Sequence, residues 1–150
     1  MTTTRSRLLA GVTRERIWDV VGDPYHEPRW WPRVQRVEGV SKNGWTSVMT
    51  SARGNAVRAD WTLEESRTPE FRRWAQELED SPFERMLRRN AVEVALERVE
   101  GGTQVRLTAE QQLRGFARFA PWMVRGAMKR NLEAALDGLE SALGTGSAAS

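Results

Sequence analysis

Between residues 34 and 113 this chain places apolar side chains at every second position, in runs separated by short turns. Between residues 121 and 143 it places them at every third or fourth. A period of two belongs to a strand with one buried face, and a period near 3.6 to an amphipathic helix. Val57, Ala59, Trp61 and Leu63 alternate with Arg58, Asp60, Thr62 and Glu64. Trp74, Gln76 and Leu78 share a parity, as do Val105, Leu107, Ala109, Gln111 and Leu113. Residues 34–40, 45–51, 71–78 and 86–99 complete the strands, and in the last of these Val92, Val94 and Leu96 share a face with Met86, Arg88 and Asn90. The breaks are turn chemistry: Ser41-Lys42-Asn43-Gly44, then Asp80-Ser81-Pro82, then Glu100-Gly101-Gly102. Consecutive strands with such short connections form an antiparallel meander.

Before the meander, residues 4–12 read as a first strand. Thr13 is a suitable N-cap for a short helix whose Ile17, Val20 and Val21 form one apolar stripe, ended by Gly22-Asp23-Pro24. The run Asp23-Pro24-Tyr25-His26-Glu27-Pro28-Arg29-Trp30-Trp31-Pro32 holds three prolines and three aromatics in ten residues. It accommodates at most one helical turn, over residues 27–31, and reads as a plug over an apolar space. After the meander, Val124, Met128, Leu132, Ala135, Leu139 and Leu143 form a continuous stripe, with Pro121 tolerable in the first turn and Gly144 as a stop. Gly126 and Gly138 suit close packing on the sheet. The class is α+β: one antiparallel sheet that twists and curls against one long helix, with one or two short helices after the first strand. A single domain is expected over residues 3–143, followed by a disordered tail at 144–150.

Composition narrows the chemistry. The 150 residues include no cysteine, which excludes disulfides, thiolate metal sites and cysteine nucleophiles. The single histidine, His26, reads as a polar loop residue rather than a catalytic group. No metal and no cofactor are expected. The net charge is +3, but acids and bases are interleaved and no strongly basic run stands out, so nucleic acid is not expected as a partner. No leader pattern and no apolar run near ~20 residues is present, so a cytoplasmic location without stable membrane insertion is expected.

The pattern Arg16-Ile17-Trp18-Asp19-Val20-Val21-Gly22-Asp23-Pro24, then Pro28-Arg29-Trp30-Trp31-Pro32, Val34 and Val37-Glu38, resembles the START-like (SRPBCC) superfamily. That group includes polyketide cyclase/dehydrase, lipid-transport and Bet v 1-like proteins. The resemblance spans about residues 3–143 and implies a helix-grip fold: a curved seven-stranded antiparallel sheet around a long C-terminal helix, with a deep hydrophobic cavity. It implies a small hydrophobic ligand of lipid, polyketide or aromatic type and no obligatory cofactor.

The residues expected to line such a cavity are Trp30, Trp31, Val57, Ala59, Trp61, Trp74, Gln76, Arg88, Asn90, Val92, Gln111, Trp122 and Met128. The tryptophans offer flat apolar walls, or else they fill the space as core. Gln76, Arg88, Asn90 and Gln111 are polar residues on otherwise apolar parities, suited to orient a ligand or to sit at exposed strand ends. Glu27 and Asp60 are not expected to act as a pair, because Asp60 has the outward parity. Two other functions remain open: a polyketide cyclase/aromatase in which Arg88 or an amide polarises a carbonyl, and a protein-interaction module with a filled core.

Overall fold

The computed structural model describes residues 1–144; the rest of the expected 144–150 tail lies outside the described residues. Seven strands form one antiparallel sheet: β1 Thr2–Ala10, β2 Val34–Glu38, β3 Gly44–Thr50, β4 Ala56–Arg67, β5 Phe71–Gln76, β6 Leu87–Val99 and β7 Gly102–Leu113. Their spatial order is β1-β7-β6-β5-β4-β3-β2, so β2 to β7 are the expected meander and β1 closes one edge against β7. The chain crosses from that edge to the other through α1 (Arg14–Val21), a 3₁₀ turn (Pro24–His26) and α2 (Glu27–Trp30). The last element is α3, Pro121–Leu143, with the bounds its periodicity predicts.

The local signals act as expected. Thr13 caps α1 by accepting from the Arg16 amide at 3.2 Å. Gly144 ends α3 at φ 72°, a left-handed value that glycine adopts without a Cβ penalty. Register shifts in β2, β4 and β6 are bulges, which bend the sheet.

The inner face carries Leu9, Val92, Val94, Leu96, Val105, Leu107 and Ala109, packed with Leu132, Ala135, Leu136 and Leu139 of α3. Two arginines share that face near the edge. Arg7 reaches Glu133, Asp137 and Glu140 of α3 at 2.6–2.9 Å, and Arg5 reaches Glu133 at 3.4 Å. The outer face is a solvated lattice of ion pairs, as in Arg89 with Glu64 and Glu110.

The predicted stripe on α3 is buried unevenly. All its fully buried residues lie from Leu132 onward, whereas Val124 and Met128 are half-buried. The C-terminal half alone is clamped down. At Gly138 the helix passes so close to α2 that a Cβ would lie 2.2 Å from the Trp30 carbonyl oxygen. Gly126 has no such neighbour: the nearest atom to its Cβ would be the Arg130 guanidinium at 3.5 Å.

These two glycines make a matched test. Alanine is favoured over glycine in a helix by roughly 1 kcal/mol. Gly126→Ala should therefore stabilise the protein by ~0.5–1 kcal/mol. Gly138→Ala should destabilise it by at least ~2 kcal/mol, because backbone must move to admit the methyl group. Urea midpoints of the two variants check both signs.

Candidate functional site

One row of side chains crosses the inner face. Trp45 pairs with Trp61, Trp61 with Gln76, and Asn90 with Gln111, while the β5–β6 register sets Gln76 beside Asn90. Asn90 Nδ2 donates to Gln76 Oε1 at 2.9 Å. That one contact leaves Gln76 Nε2 and Asn90 Oδ1 buried without partners. Gln111 Oε1 and Thr3 Oγ1 are in the same condition, and Thr3 sits opposite Ala109, two residues along β7 from Gln111. Gln76, Gln111 and Thr3 are 9%, 5% and 4% exposed, so bulk water does not satisfy them. An unpartnered buried polar group costs about 1–3 kcal/mol. Four in one patch is a concentration that packing alone does not explain.

The patch lies toward the N-terminal half of α3. Arg5 meets Glu133 of the helix, and Thr3 stands two residues further along β1. The half-buried Val124 and Met128 belong to the helix turns that follow in that direction. Along β4 the same face runs from Trp61 through Ala59 to Val57, and there a pocket of about 340 Å³ opens. Trp31 and Pro32 of the plug, Arg33 after it, Met49, Val57, Phe83 and Asn131 of α3 line it.

Beneath α2, next to the Trp45 and Gln76 positions of the row, the inner face is filled. Trp30 meets Trp31 at 5.4 Å and Trp74 at 6.4 Å between ring centroids, both edge to face, and Trp74 meets Trp45 at 6.1 Å. Beside this stack lies Glu27, 7% exposed. Its carboxyl accepts from Trp45 Nε1 at 3.1 Å and from Ser47 Oγ. The buried Arg72 stands 5.3 Å from the Trp45 ring and attracts the Glu27 charge. Burial pushes the Glu27 carboxyl above its ordinary range, against the two hydrogen bonds and Arg72. With both oxygens engaged inside protein, Glu27 works as a latch that fastens the plug to β3, not as a proton donor to a substrate.

The residues singled out by sequence therefore separate. Trp31 and Val57 line the pocket, Gln76, Asn90 and Gln111 form the row, and Trp61 is half-buried within it. Trp30, Trp74, Ala59 and Val92 are core, at 1–4% exposure. Met128 packs against that core, half-buried. Two placements need correction. Arg88 is exposed, because the bulge between Leu87 and Arg89 breaks the parity at this residue; Arg89 keeps the outward parity and reaches Glu64 and Glu110. Trp122 is 68% exposed at the start of α3 and does not close the cavity end. Asp60 faces outward as expected, accepting from Thr46. His26 Nδ1 lies 2.9 Å from the Asp19 carbonyl, a local loop contact. Sequence reasoning missed Thr3 and the role of Glu27. The signal for Glu27 was a pair of side chains on one strand parity, Trp45 and Ser47, each able to donate to it. Among the described residues no cluster of acids and histidine is arranged to hold a metal ion, and no helix is long and apolar enough to cross a membrane.

The family described as polyketide cyclase / dehydrase and lipid transport matches residues 1–144. A START superfamily protein from Mycobacterium smegmatis is similar in structure, with TM-score 0.74, 11% identity and 95% of each chain covered. A protein from Thermus thermophilus, TTHA0849, gives TM-score 0.76 at 19% identity, over 99% of this chain and 100% of that one. The di-domain ARO/CYC StfQ from the steffimycin biosynthetic pathway gives TM-score 0.75 at 12% identity, over 93% of this chain; the chain spans 49% of that protein. These likenesses establish the fold. Among curated proteins none shows significant sequence similarity.

Two outcomes follow from the site's energetics. Thr3→Val and Gln111→Met remove polar atoms that have no partner, so each should stabilise the ligand-free protein by about 1 kcal/mol, read from urea midpoints. The Glu27 carboxyl has a raised folded-state pKa, so the folded state holds that proton more tightly than the unfolded chain does. Its stabilising contribution is complete below the ordinary carboxyl value and is lost as pH rises through the raised one. The stability of the wild type relative to Glu27→Gln should accordingly fall as pH rises through that window. A difference that stays flat, or rises, would contradict burial as the dominant influence on the Glu27 carboxyl.

Proposed function

The chain belongs to the polyketide cyclase/dehydrase and lipid-transport family, and we propose that it binds a small, largely hydrophobic molecule between the sheet and the N-terminal half of α3. The observation that carries this reading is the patch of buried, unpartnered polar atoms on Thr3, Gln76, Asn90 and Gln111. An amide–amide contact leaves one free donor and one free acceptor whichever way each amide is turned. The patch thus offers both to a ligand, and none of its four side chains is charged. Its complement is a neutral polar end that accepts and donates, such as a hydroxyl, a carboxamide or a protonated carboxyl.

The apolar body of the ligand would lie along β4 against the half-buried Trp61 and Val57, toward Trp31 and Met49 at the pocket. Four residues of strand give that wall a length of roughly 13 Å. Burial of apolar surface drives binding, and the polar end sets orientation. This suits a fatty, polyketide or aromatic molecule in size and polarity. A cyclase reading is weaker, because Arg88, the cation it would use on a carbonyl, is exposed at the bulge. A pure interaction module is weaker too, because a filled apolar core would not leave buried polar atoms without partners on the inner face.

Native mass spectrometry of the freshly purified chain, followed by solvent extraction, tests the proposal. The expected result is a reproducible adduct of roughly a few hundred daltons with a neutral polar end group. Replacing both amides, Gln76→Leu with Asn90→Leu, should lower affinity for the extracted molecule at least about tenfold, since its polar end then loses its partners. An adduct held with equal affinity by the double variant would refute the assignment of the row. A clean apo mass with no binding of fatty acids or aromatic polyketides in titration would sink the carrier reading itself.

A further inference from the structure

The segment after β7 carries an unusual surface. Among the described residues, Phe116, Phe119, Trp122 and Met123 are exposed by 93%, 67%, 68% and 65%. They fall on the 3₁₀ turn Gly115–Phe119 and the first turn of α3. Interleaved with them are Arg114, Arg118, Arg125, Lys129 and Arg130, and no acidic residue occurs between Glu110 and Glu133. The stretch thus carries five cations and no acid. On α3 the exposed positions include Trp122, Met123, Arg125 and Arg130, so apolar and cationic side chains point outward together. Arg118 lies 5.0 Å from the Phe119 ring, its charge stacked on the apolar surface it borders. Glu84, which shares a surface hollow with Arg114 and Phe116, accepts from the Asp80 amide at 3.2 Å.

Exposed Trp and Phe rings cost free energy in water unless a partner covers them. A partner that takes aromatic side chains into an apolar layer and meets a ring of cations with negative charge is an anionic lipid bilayer. We infer that this face, residues 114–130, docks the protein peripherally on an anionic membrane, with Phe116, Phe119, Trp122 and Met123 entering the interface and the five cations resting on the headgroups. The contact is superficial, since no helix here spans a bilayer. The inference stands on exposed side chains and holds whether or not the amide row binds a ligand.

Co-sedimentation of the full chain with vesicles tests it. Phosphatidylcholine vesicles containing phosphatidylglycerol should carry the protein down at low salt, and pure phosphatidylcholine should bind it about tenfold more weakly or less. Raising the salt should release it. Phe119→Ser with Trp122→Ser should lower partitioning at least about tenfold while leaving the melting curve in place, since both side chains are exposed. Tyr25→Ser, an exposed aromatic (61%) away from this face, should change nothing. Failure of the wild type to sediment, or equal sedimentation of the double variant, overturns the inference. So does a dimer in analytical ultracentrifugation that the double variant abolishes without any vesicle binding, which would give the face to a second copy.

Discussion

Gly138 lets the backbone of α3 touch the backbone of α2 at Trp30, and this crossing decides how the inner face of the sheet is used. A helix held that close at one end must pack its nearby side chains fully. Leu132, Ala135, Leu136 and Leu139 do so, and the ion pairs from Arg7 hold the same half of the helix to the sheet edge. The other half has no comparable anchor. Its apolar positions stay half-buried, and the sheet beneath it carries amides where the anchored end carries leucine and valine. Curvature of the sheet and the single crossing together produce a closed end and an unfinished end.

The closed end shows what a satisfied polar group looks like in this protein. Glu27 is as buried as Gln76 and more costly to bury, being ionisable, yet both of its oxygens have donors and a buried arginine stands nearby. The fold therefore supplies partners to interior polar groups where they serve to fasten elements. Of the five buried side-chain atoms without partners among the described residues, one is Arg14 Nε and the other four lie around the amide row. They belong to one place, and their side chains form one row or its immediate neighbour.

Much of this was legible in the sequence, for identifiable reasons. Parity along β4, β5 and β7 holds because those strands carry long alternating runs, and it put Trp61, Gln76 and Gln111 on the inner face. The bounds of α3 follow from Pro121 and Gly144, whose backbone restrictions act locally. What escaped was non-local. Arg88 lost its parity to a bulge between Leu87 and Arg89 that no local residue pattern announces. Whether Trp74 lines a space or fills one depends on where Trp30 and Trp45 come to rest, and neither is near it in sequence. Thr3 carries no signal of its own, since a threonine in an edge strand is ordinary until Gln111 is placed beside it.

The two destabilising features of the chain, unpartnered amides inside and exposed aromatics outside, lie at the same end. Gln111 precedes Arg114 by three residues and Phe116 by five, so the row and the cationic, aromatic face are joined by one short piece of chain. Either feature alone lowers the stability of the isolated protein. Both features concentrate there, although Arg14 Nε and the exposed Tyr25 lie elsewhere. A small molecule that is poorly soluble in water moves between a protein and a bilayer most directly where the two touch. On the proposed readings, the half of α3 that is not clamped is the part of the molecule that must give way for that exchange. The loose half of the helix, the polar row beneath it and the aromatic face at its start then have a single physical rationale.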